Sequence, residues 1–228
     1  MTDTRLLAPN RALSGRDDAV LEPGVRHRVL GTTLQGPWPA GTQVLYLAMG
    51  CFWGAEEIYW QVPGVVTTAV GYMGGVTPNP TYEEVCTGRT GHTETVLVAY
   101  DPTVVDAEEL LRIFWEHHDP TQGNRQGNDM GTQYRSAIFA PTATDLQAAL
   151  QTKDAFARVL DVNGLGPITT DIIGLDLAAE SAGQPATGDV PFWYAELYHQ
   201  QYLDRVPHGY RCHATTGLRL PPRQAVER

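Results

Sequence analysis

The sequence predicts an α+β fold, a two-layer α/β sandwich in which helices pack on one mixed, mainly antiparallel sheet. The 228 residues are 42% hydrophobic and 18% charged, the composition of a chain that buries a sizeable core without disulfides. Short apolar or β-branched runs alternate with segments of helical periodicity. Their order, β-α-β-β-α-β followed by one more helix and strand, predicts a ferredoxin-like βαββαβ core.

Regular patterning begins at Val44 with VLYLAMG, a short apolar run typical of a buried strand. The helix that follows, AEEIYWQV, carries apolar side chains at helical spacing and ends at Pro63-Gly64. The β-branched run at 65–75 predicts a second strand, and the glycine pair marks its end. After a loop rich in proline and glycine, TETVLVAYDP at 93–102 predicts a third strand.

The second half of the chain completes the two layers. Asp106 is suited to cap the helix AEELLRIFWEHH, whose apolar residues fall on one face. The polar, glycine-rich stretch 119–133 has no apolar periodicity, so we predict a long functional loop there. The remaining predicted elements are a strand, an alanine-rich helix, a strand and a last helix, at 135–140, 142–160, 167–173 and 193–206.

The length predicts one domain with extensions, since a domain averages about 150 residues. Mixed charges followed by a proline- and glycine-punctuated stretch make residues 1–42 an N-terminal extension. The regular patterning defines a main domain at 43–206. Residues 207–228 are broken by glycine and proline and are predicted to form a flexible C-terminal tail.

The charge pattern excludes two classes of partner. The net charge is −10 and no run of Lys or Arg occurs, which argues against nucleic acid. Residues 29–55 and 58–82 carry no charged side chain, but prolines and glycines interrupt both before about 20 apolar residues accumulate. The N-terminus lacks the apolar core of a signal peptide. We therefore expect a cytoplasmic protein without a membrane partner and, with no exposed apolar heptad, a monomer.

The histidines do not complete a metal motif. His92-Thr93-Glu94 matches half of a zinc-deaminase motif, but the P-C-x-x-C partner is missing. The adjacent His117 and His118 would face different directions on a helix. No glycine-rich phosphate loop occurs either. We expect no cofactor and no metal.

The three cysteines are too few for a disulfide framework and form no CxxC pair, so each is either a buried small residue or a reactive thiol. Cys51 lies where a predicted strand meets a predicted helix, flanked by glycines. A helix N-terminus lowers a thiol pKa, so a reactive thiolate is one interpretation and a buried structural cysteine the other. Cys86 is interpreted as a packing residue. Cys212 lies on the glycine-containing tail and would need to swing to within disulfide distance of Cys51, which predicts a nucleophilic and a resolving cysteine.

Polar residues beside the predicted strand ends are candidates for acid–base chemistry. Glu94 enters an apolar strand, and partial burial there would raise its pKa and make it a proton donor near neutrality. A solvated glutamate is the alternative. Tyr82, Asp129 and Tyr134 lie in loops near strand ends. A cysteine hydrolase stays open at this point, with Cys51 as nucleophile and one of the histidines as base.

Eight ordered blocks resemble the A-type peptide-methionine sulfoxide reductases over roughly residues 45–212. They are GCFWG, GYMGG, PTYEEV, TGHTETVLVAYDP, FWEHHDPT, NRQGNDMGTQYRS, ITT and FWYAELYHQQYL. The resemblance implies reduction of methionine-S-sulfoxide, free or in proteins, by a catalytic reductase domain at 43–206. It also implies that a thioredoxin-like thiol donor serves as reductant. Two alternatives are kept: a cysteine hydrolase, and a non-enzymatic redox-sensing module.

The resemblance also implies a role for each site residue. Cys51 would attack the sulfoxide sulfur, and Cys212 on the tail would resolve the resulting sulfenic acid. Some members carry a second recycling cysteine further along the tail, and this chain has none after Cys212. The disulfide is therefore expected to meet its reductant directly. Glu94, Tyr82 and Tyr134 would hold the sulfoxide oxygen, and Glu94 would donate the proton. Asp129 would help to position water. Phe52 and Trp53 would form an apolar slot for the methyl group.

Overall fold

The sheet and its helices are seen in a computed structural model, which describes residues 11–175, 190–212 and 214–222. The strands are β1 (Gln43–Met49), β2 (Val65–Met73), β3 (Thr93–Tyr100), β4 (Arg125–Gln126), β5 (Asp129–Met130), β6 (Ser136–Ala140), β7 (Asp171–Gly174) and β8 (Trp193–Tyr194). The helices are α1 (Phe52–Trp60), α2 (Tyr82–Cys86), α3 (Ala107–Glu116), α4 (Ala143–Val162) and α5 (Tyr202–Arg205), with a 3-10 turn at Thr132–Tyr134. None of the helices in these ranges is long and apolar enough to cross a membrane.

Six strands form one sheet in the order β7-β6-β1-β3-β2-β8. Strand β1 runs antiparallel to β3 and β6, and β2 runs antiparallel to β3 and β8. Among the described strands, β7 alone is parallel to its neighbour, β6, which makes the sheet mixed but mainly antiparallel. The inner four strands, connected through α1 and α3, have the ferredoxin-like βαββαβ arrangement. The predicted α+β fold is confirmed.

The helices cover one face of the sheet and the N-terminal segment covers part of the other. Alternation along β1 separates the faces, so that Leu45 and Leu47 join the large core under α1, α3 and α4. On the opposite face, Leu21 and Leu34 pack in a second cluster with Leu97 of β3. Residues 11–42 therefore supply apolar cover for the sheet.

The predicted helix at 193–206 is wrong. Trp193–Tyr194 is instead strand β8, paired with β2, and only Tyr202–Arg205 is helical. Gln201 has φ +47, the left-handed region, which interrupts a right-handed helix at that residue. The energy of this conformation is offset by Glu56, which accepts hydrogen bonds from the Gln201 backbone N–H at 2.8 Å and side-chain amide at 2.7 Å.

Two further segments differ from the sequence prediction. Helix α2 was predicted as loop, but Thr81 and Glu84 form a capping box that starts one turn and a half of helix. The predicted strand at 167–173 begins only at Asp171, because Thr169 donates hydrogen bonds from its backbone and side chain to Pro120 O at 2.8 Å each. In the tail, Leu220 is buried against the core.

Candidate active site

Cys51 occupies the junction between β1 and α1. It is the N-cap residue of α1 and is only 8% exposed. The preceding Gly50 has φ +90, and a Cβ there would lie 2.6 Å from the Gln126 side chain. Glycine is therefore required both for the turn and for the close approach of the neighbouring loop.

The pKa of the Cys51 thiol is raised well above its ordinary value, so the expected lowering by the helix N-terminus is wrong. Burial has the largest effect, and the nearby Glu94 carboxylate acts in the same direction. The helix N-terminus still contributes, since the backbone N–H groups of Trp53 and Gly54 hydrogen bond to the sulfur and lower the pKa. Desolvation outweighs them.

Glu94 is buried on β3, opposite Tyr72 of β2, and is 2% exposed. Its Oε2 accepts a hydrogen bond from the Phe52 backbone N–H at 2.9 Å. Burial raises the pKa of Glu94 to about 8, with a smaller contribution from the Asp129 charge. The carboxyl is therefore mostly protonated at neutral pH, as the sequence argument for a proton donor requires.

One cavity of about 160 Å³ brings the predicted site residues together. The lining residues are Cys51, Phe52, Trp53, Tyr82, Glu94, Asp129, Tyr134 and Tyr210. A second cavity of about 190 Å³ lies on the other side of Cys51 and is lined by Cys212 as well. All eight residues singled out from the sequence thus lie in or beside these two cavities.

The two tyrosines come from short elements on the same side of the cavity. Tyr82 is the first residue of α2, and Tyr134 ends the 3-10 turn. Their hydroxyls hydrogen bond to each other, and burial raises both pKa values, so both stay protonated. The Tyr82 backbone N–H donates to Glu196 Oε1 at 2.8 Å, while Tyr72 donates to Glu196 Oε2 at 3.1 Å.

An aromatic wall borders the cavity. Trp53 stacks on Tyr202 with ring centroids 4.0 Å apart and donates its Nε1–H to His199 Nδ1 at 3.1 Å. The Phe52 ring lies 5.1 Å from the His199 ring and is buried. Burial lowers the pKa of His199 to about 4, which keeps the imidazole neutral as an acceptor for Trp53.

Glu196 and Tyr210 were not identified from the sequence, and His199 was considered only as one of the possible bases for a hydrolase. Glu196 and His199 fall in the segment predicted as a helix, where neither their burial nor their partners could be inferred. Tyr210 donates to Asp129 Oδ2 at 3.0 Å and covers the cavity from the tail. The density of aromatic and polar residues in WYAELYHQQY was the available signal.

The three cysteines are free thiols in different surroundings. Cys212 is half-buried and donates to Gln126 O at 3.3 Å, beside Asp129, with which it also hydrogen bonds. Cys86 is exposed, so its interpretation as a packing residue is wrong; its thiol hydrogen bonds to Tyr82. Within the described residues no hydrogen bond joins Cys51 to a histidine, as the hydrolase alternative would need.

The chain is similar to known proteins over most of its length. The family model described as peptide methionine sulfoxide reductase matches residues 43–225. The peptide methionine sulfoxide reductase MsrA of Salinispora arenicola is 55% identical over 218 residues, covering 95% of this chain and 92% of the relative. The corresponding MsrA of Brucella anthropi is 51% identical over 218 residues, with 96% and 93% covered.

A solved structure agrees with these sequence matches. The methionine sulfoxide reductase A of Corynebacterium diphtheriae has a TM-score of 0.80 and 47% identity, covering 95% of this chain and 99% of that chain. On the sequence matches and this likeness together, the chain belongs to the peptide methionine sulfoxide reductase family.

Proposed function

We propose that the chain reduces methionine-S-sulfoxide, free or in proteins, to methionine through the Cys51 thiol. The observation that carries this proposal is that Cys51 and the buried acid Glu94 line the same cavity of about 160 Å³. The Phe52 backbone N–H links the two groups, since Phe52 follows Cys51 and donates to Glu94. A nucleophile and a proton donor are thereby held on fixed elements.

The reaction needs both groups because a sulfoxide oxygen leaves poorly. Cys51 attacks the sulfur while the protonated Glu94 gives its proton to the oxygen, and the Cys51 thiol proton replaces it. The hydroxyls of Tyr82 and Tyr134 line the same cavity and stabilise charge that develops on the oxygen. The oxygen ends on Cys51 as a sulfenic acid and methionine is released.

The aromatic wall supplies a slot for the methyl group of the substrate. Phe52 and Trp53 present apolar ring surface, and Trp53 is held by its stacking on Tyr202 and its hydrogen bond to His199. A sulfoxide sulfur carries three different groups in a fixed configuration. Fixing the oxygen near Glu94 and the methyl group against the rings therefore admits one epimer.

Recycling is proposed to run through Cys212 and a thioredoxin-like dithiol donor. Cys212 lines the second cavity beside Cys51, which supports a disulfide between them as the product of each turnover. A dithiol reductant then restores both thiols. We propose that the enzyme does this as a monomer in the cytoplasm, where a free catalytic thiol is kept reduced.

A turnover assay with dithiothreitol tests this function. The S and R epimers of a methionine sulfoxide peptide are offered separately, with Cys51→Ser as the matched control. We expect the wild-type enzyme to consume the S epimer alone and Cys51→Ser to consume neither. Consumption of the R epimer at a comparable rate, or of neither epimer by the folded and fully reduced enzyme, would overturn the proposal.

A further inference from the structure

A bidentate ion pair joins the C-terminal tail to α1. Arg211 donates from Nε to Glu57 Oε2 and from Nη2 to Glu57 Oε1, both at 2.6 Å. The two side chains are only 25% and 23% exposed, so salt screens the pair less than a surface pair. Two parallel hydrogen bonds also fix the relative orientation of the partners.

The same guanidinium fixes the backbone of the tail. Its Nη1 donates to Pro207 O at 2.8 Å and to Gly209 O at 3.3 Å. The turn before Arg211 is closed by a hydrogen bond from the Gly209 N–H to Val206 O at 2.8 Å. Arg211 therefore stabilises the turn that precedes it and attaches that turn to α1.

This attachment lines the same cavity as the two thiols. Arg211 immediately precedes Cys212, and Glu57 lies on the helix that Cys51 caps, about 9 Å further along its axis. Cys51, Glu57, Arg211 and Cys212 all line the cavity of about 190 Å³. The cavity gives Cys212 a path to Cys51, and the ion pair forms part of its wall.

A second anchor holds the tail beyond Cys212. Arg112 of α3 donates to Leu220 O at 2.9 Å and to Pro221 O at 2.8 Å, and Leu220 is buried in the core. Cys212 therefore directly follows the anchor at Arg211 and precedes the anchor at Leu220 and Pro221. In this position its thiol donates to Gln126 O, so it must leave that bond to reach Cys51.

We propose that Glu57 and Arg211 are positioning residues for recycling, which hold Cys212 beside Cys51 so that it attacks the sulfenic acid. The inference rests on the proposed function. In this step a bond forms between the two sulfur atoms as the Cys51 S–O bond breaks, and the oxygen leaves as water with the Cys212 proton. Cys212 is oxidised and the sulfenic sulfur is reduced. Neither Glu57 nor Arg211 exchanges a proton or an electron.

The test separates the two chemical steps in single turnovers without reductant. Wild-type, Glu57→Gln and Arg211→Gln enzymes are mixed with one equivalent of methionine-S-sulfoxide and quenched over time. Methionine reports the first step. Free thiols fall from three to two as the sulfenic acid forms and from two to one as the disulfide forms, so the second loss reports the second step. Dimedone traps the sulfenic acid between the steps. Cys212→Ser gives the reference time course of an enzyme that cannot form the disulfide.

We expect both variants to form methionine at the wild-type rate but to form the disulfide about tenfold more slowly, because the effective concentration of Cys212 at Cys51 falls. Dimedone-labelled Cys51 should accumulate accordingly. The double variant Glu57→Arg/Arg211→Glu should recover part of the rate, because it restores the ion pair to α1 but not the hydrogen bonds to Pro207 O and Gly209 O. Arg28→Gln is the matched control. It removes an exposed ion pair in which Arg28 Nε lies 2.8 Å from Asp204 Oδ2, and neither residue lines the two cavities beside Cys51.

Wild-type disulfide formation in both variants, or equal slowing of both steps, would overturn the inference. Because salt screens this pair only in part, raising the salt from about 0.1 to 1 M should slow disulfide formation in the wild-type enzyme by less than either substitution does, and should leave Glu57→Gln unchanged. This measurement needs no folded variant of Arg211. If the wild-type enzyme forms no methionine at all, the proposed function has failed, and the two failures are distinguishable.

Discussion

Burial determines the protonation of the two groups that react. Cys51 and Glu94 line a small cavity, and desolvation raises the pKa of each. Because the Phe52 N–H donates to Oε2 of Glu94, the carboxyl proton is best placed on Oε1. A neutral acid beside the thiol removes the repulsion that a carboxylate would exert on the thiolate formed during attack. The resting site is therefore uncharged at its centre, and charge develops only with substrate bound.

The pH dependence of the first chemical step tests Glu94. Its pKa is raised to about 8, so the acid is present below that value and is lost as the pH rises through it. We expect the rate of methionine formation to fall above about pH 8. Glu94→Gln, which has no proton to give, should be slower by about 100-fold or more and lack this limb, with KM little changed. Single-turnover rates between pH 6 and 9.5 measure both effects.

An unchanged rate in Glu94→Gln across neutral pH would remove Glu94 as the acid. Asp129→Asn is the comparison variant, because Asp129 lines the same cavity but lies at its edge, bonded to Tyr210. The falling limb should persist in that variant. Its loss there would assign the titration to Asp129 instead.

At the residue scale, the sequence identified the groups but not their environment. Cys51, Phe52 and Trp53 are contiguous, and the motif around Glu94 is specific, so the resemblance found them. The predicted direction of the pKa shift of Cys51 was wrong, because a helix N-terminus is visible in a sequence whereas the depth of burial is not. The contact of His199 with Trp53, across 146 positions, was missed for the same reason.

At the scale of elements, periodicity predicted the helices and strands that local interactions stabilise. It failed where contacts distant in the sequence determine the backbone conformation. The amphipathic α3 was predicted nearly to the residue, since its cap and apolar face are both encoded locally. The segment after β8 has helical composition, yet pairing with β2 and the hydrogen bonds of Gln201 to Glu56 hold it in another form. Those partners lie more than 100 residues away and leave no local pattern.

The N-terminal segment is the element whose contribution was least visible in the sequence. Leu34 is completely buried in the cluster on the second face of the sheet, with Leu21 and Leu97. We expect Leu34→Ala to lower the free energy of unfolding by about 2–5 kcal/mol, the usual cost of emptying a buried leucine site. Urea unfolding followed by tryptophan fluorescence measures it.

Val29→Ala is the matched control for Leu34→Ala, because Val29 lies in the same segment and is 45% exposed. It should change the free energy of unfolding by no more than about 0.5 kcal/mol. A loss below about 1 kcal/mol in Leu34→Ala would mean that the segment contributes little to the core. The sheet would then be stable without this cover.

For the whole molecule, the two covered faces leave several titratable groups in dry surroundings. The buried histidines have pKa values lowered to about 4, and the buried carboxyls have pKa values raised to about 7 and 8. These groups are His27, His92, His118, His199, Glu56 and Glu94. The two sets act on stability in opposite directions, because the fold favours the neutral form of each.

The pH dependence of the melting temperature follows from the signs of these shifts. The histidines contribute stability above their ordinary pKa of 6.5, and it is lost as the pH falls toward 4. The carboxyls contribute stability below about 4.5, and it is lost as the pH rises through 7 and 8. With four such histidines against two such carboxyls among the described residues, the melting temperature should be highest between about pH 6 and 7 and fall on both sides. Glu56→Gln, which stays neutral, should make the alkaline fall shallower and the acid fall steeper, because Glu56 opposes the histidines between about pH 4.5 and 7. Calorimetry from pH 4.5 to 8.5 measures both curves, and a melting temperature that keeps rising above pH 7 would show that the buried carboxyls are already ionised in the fold.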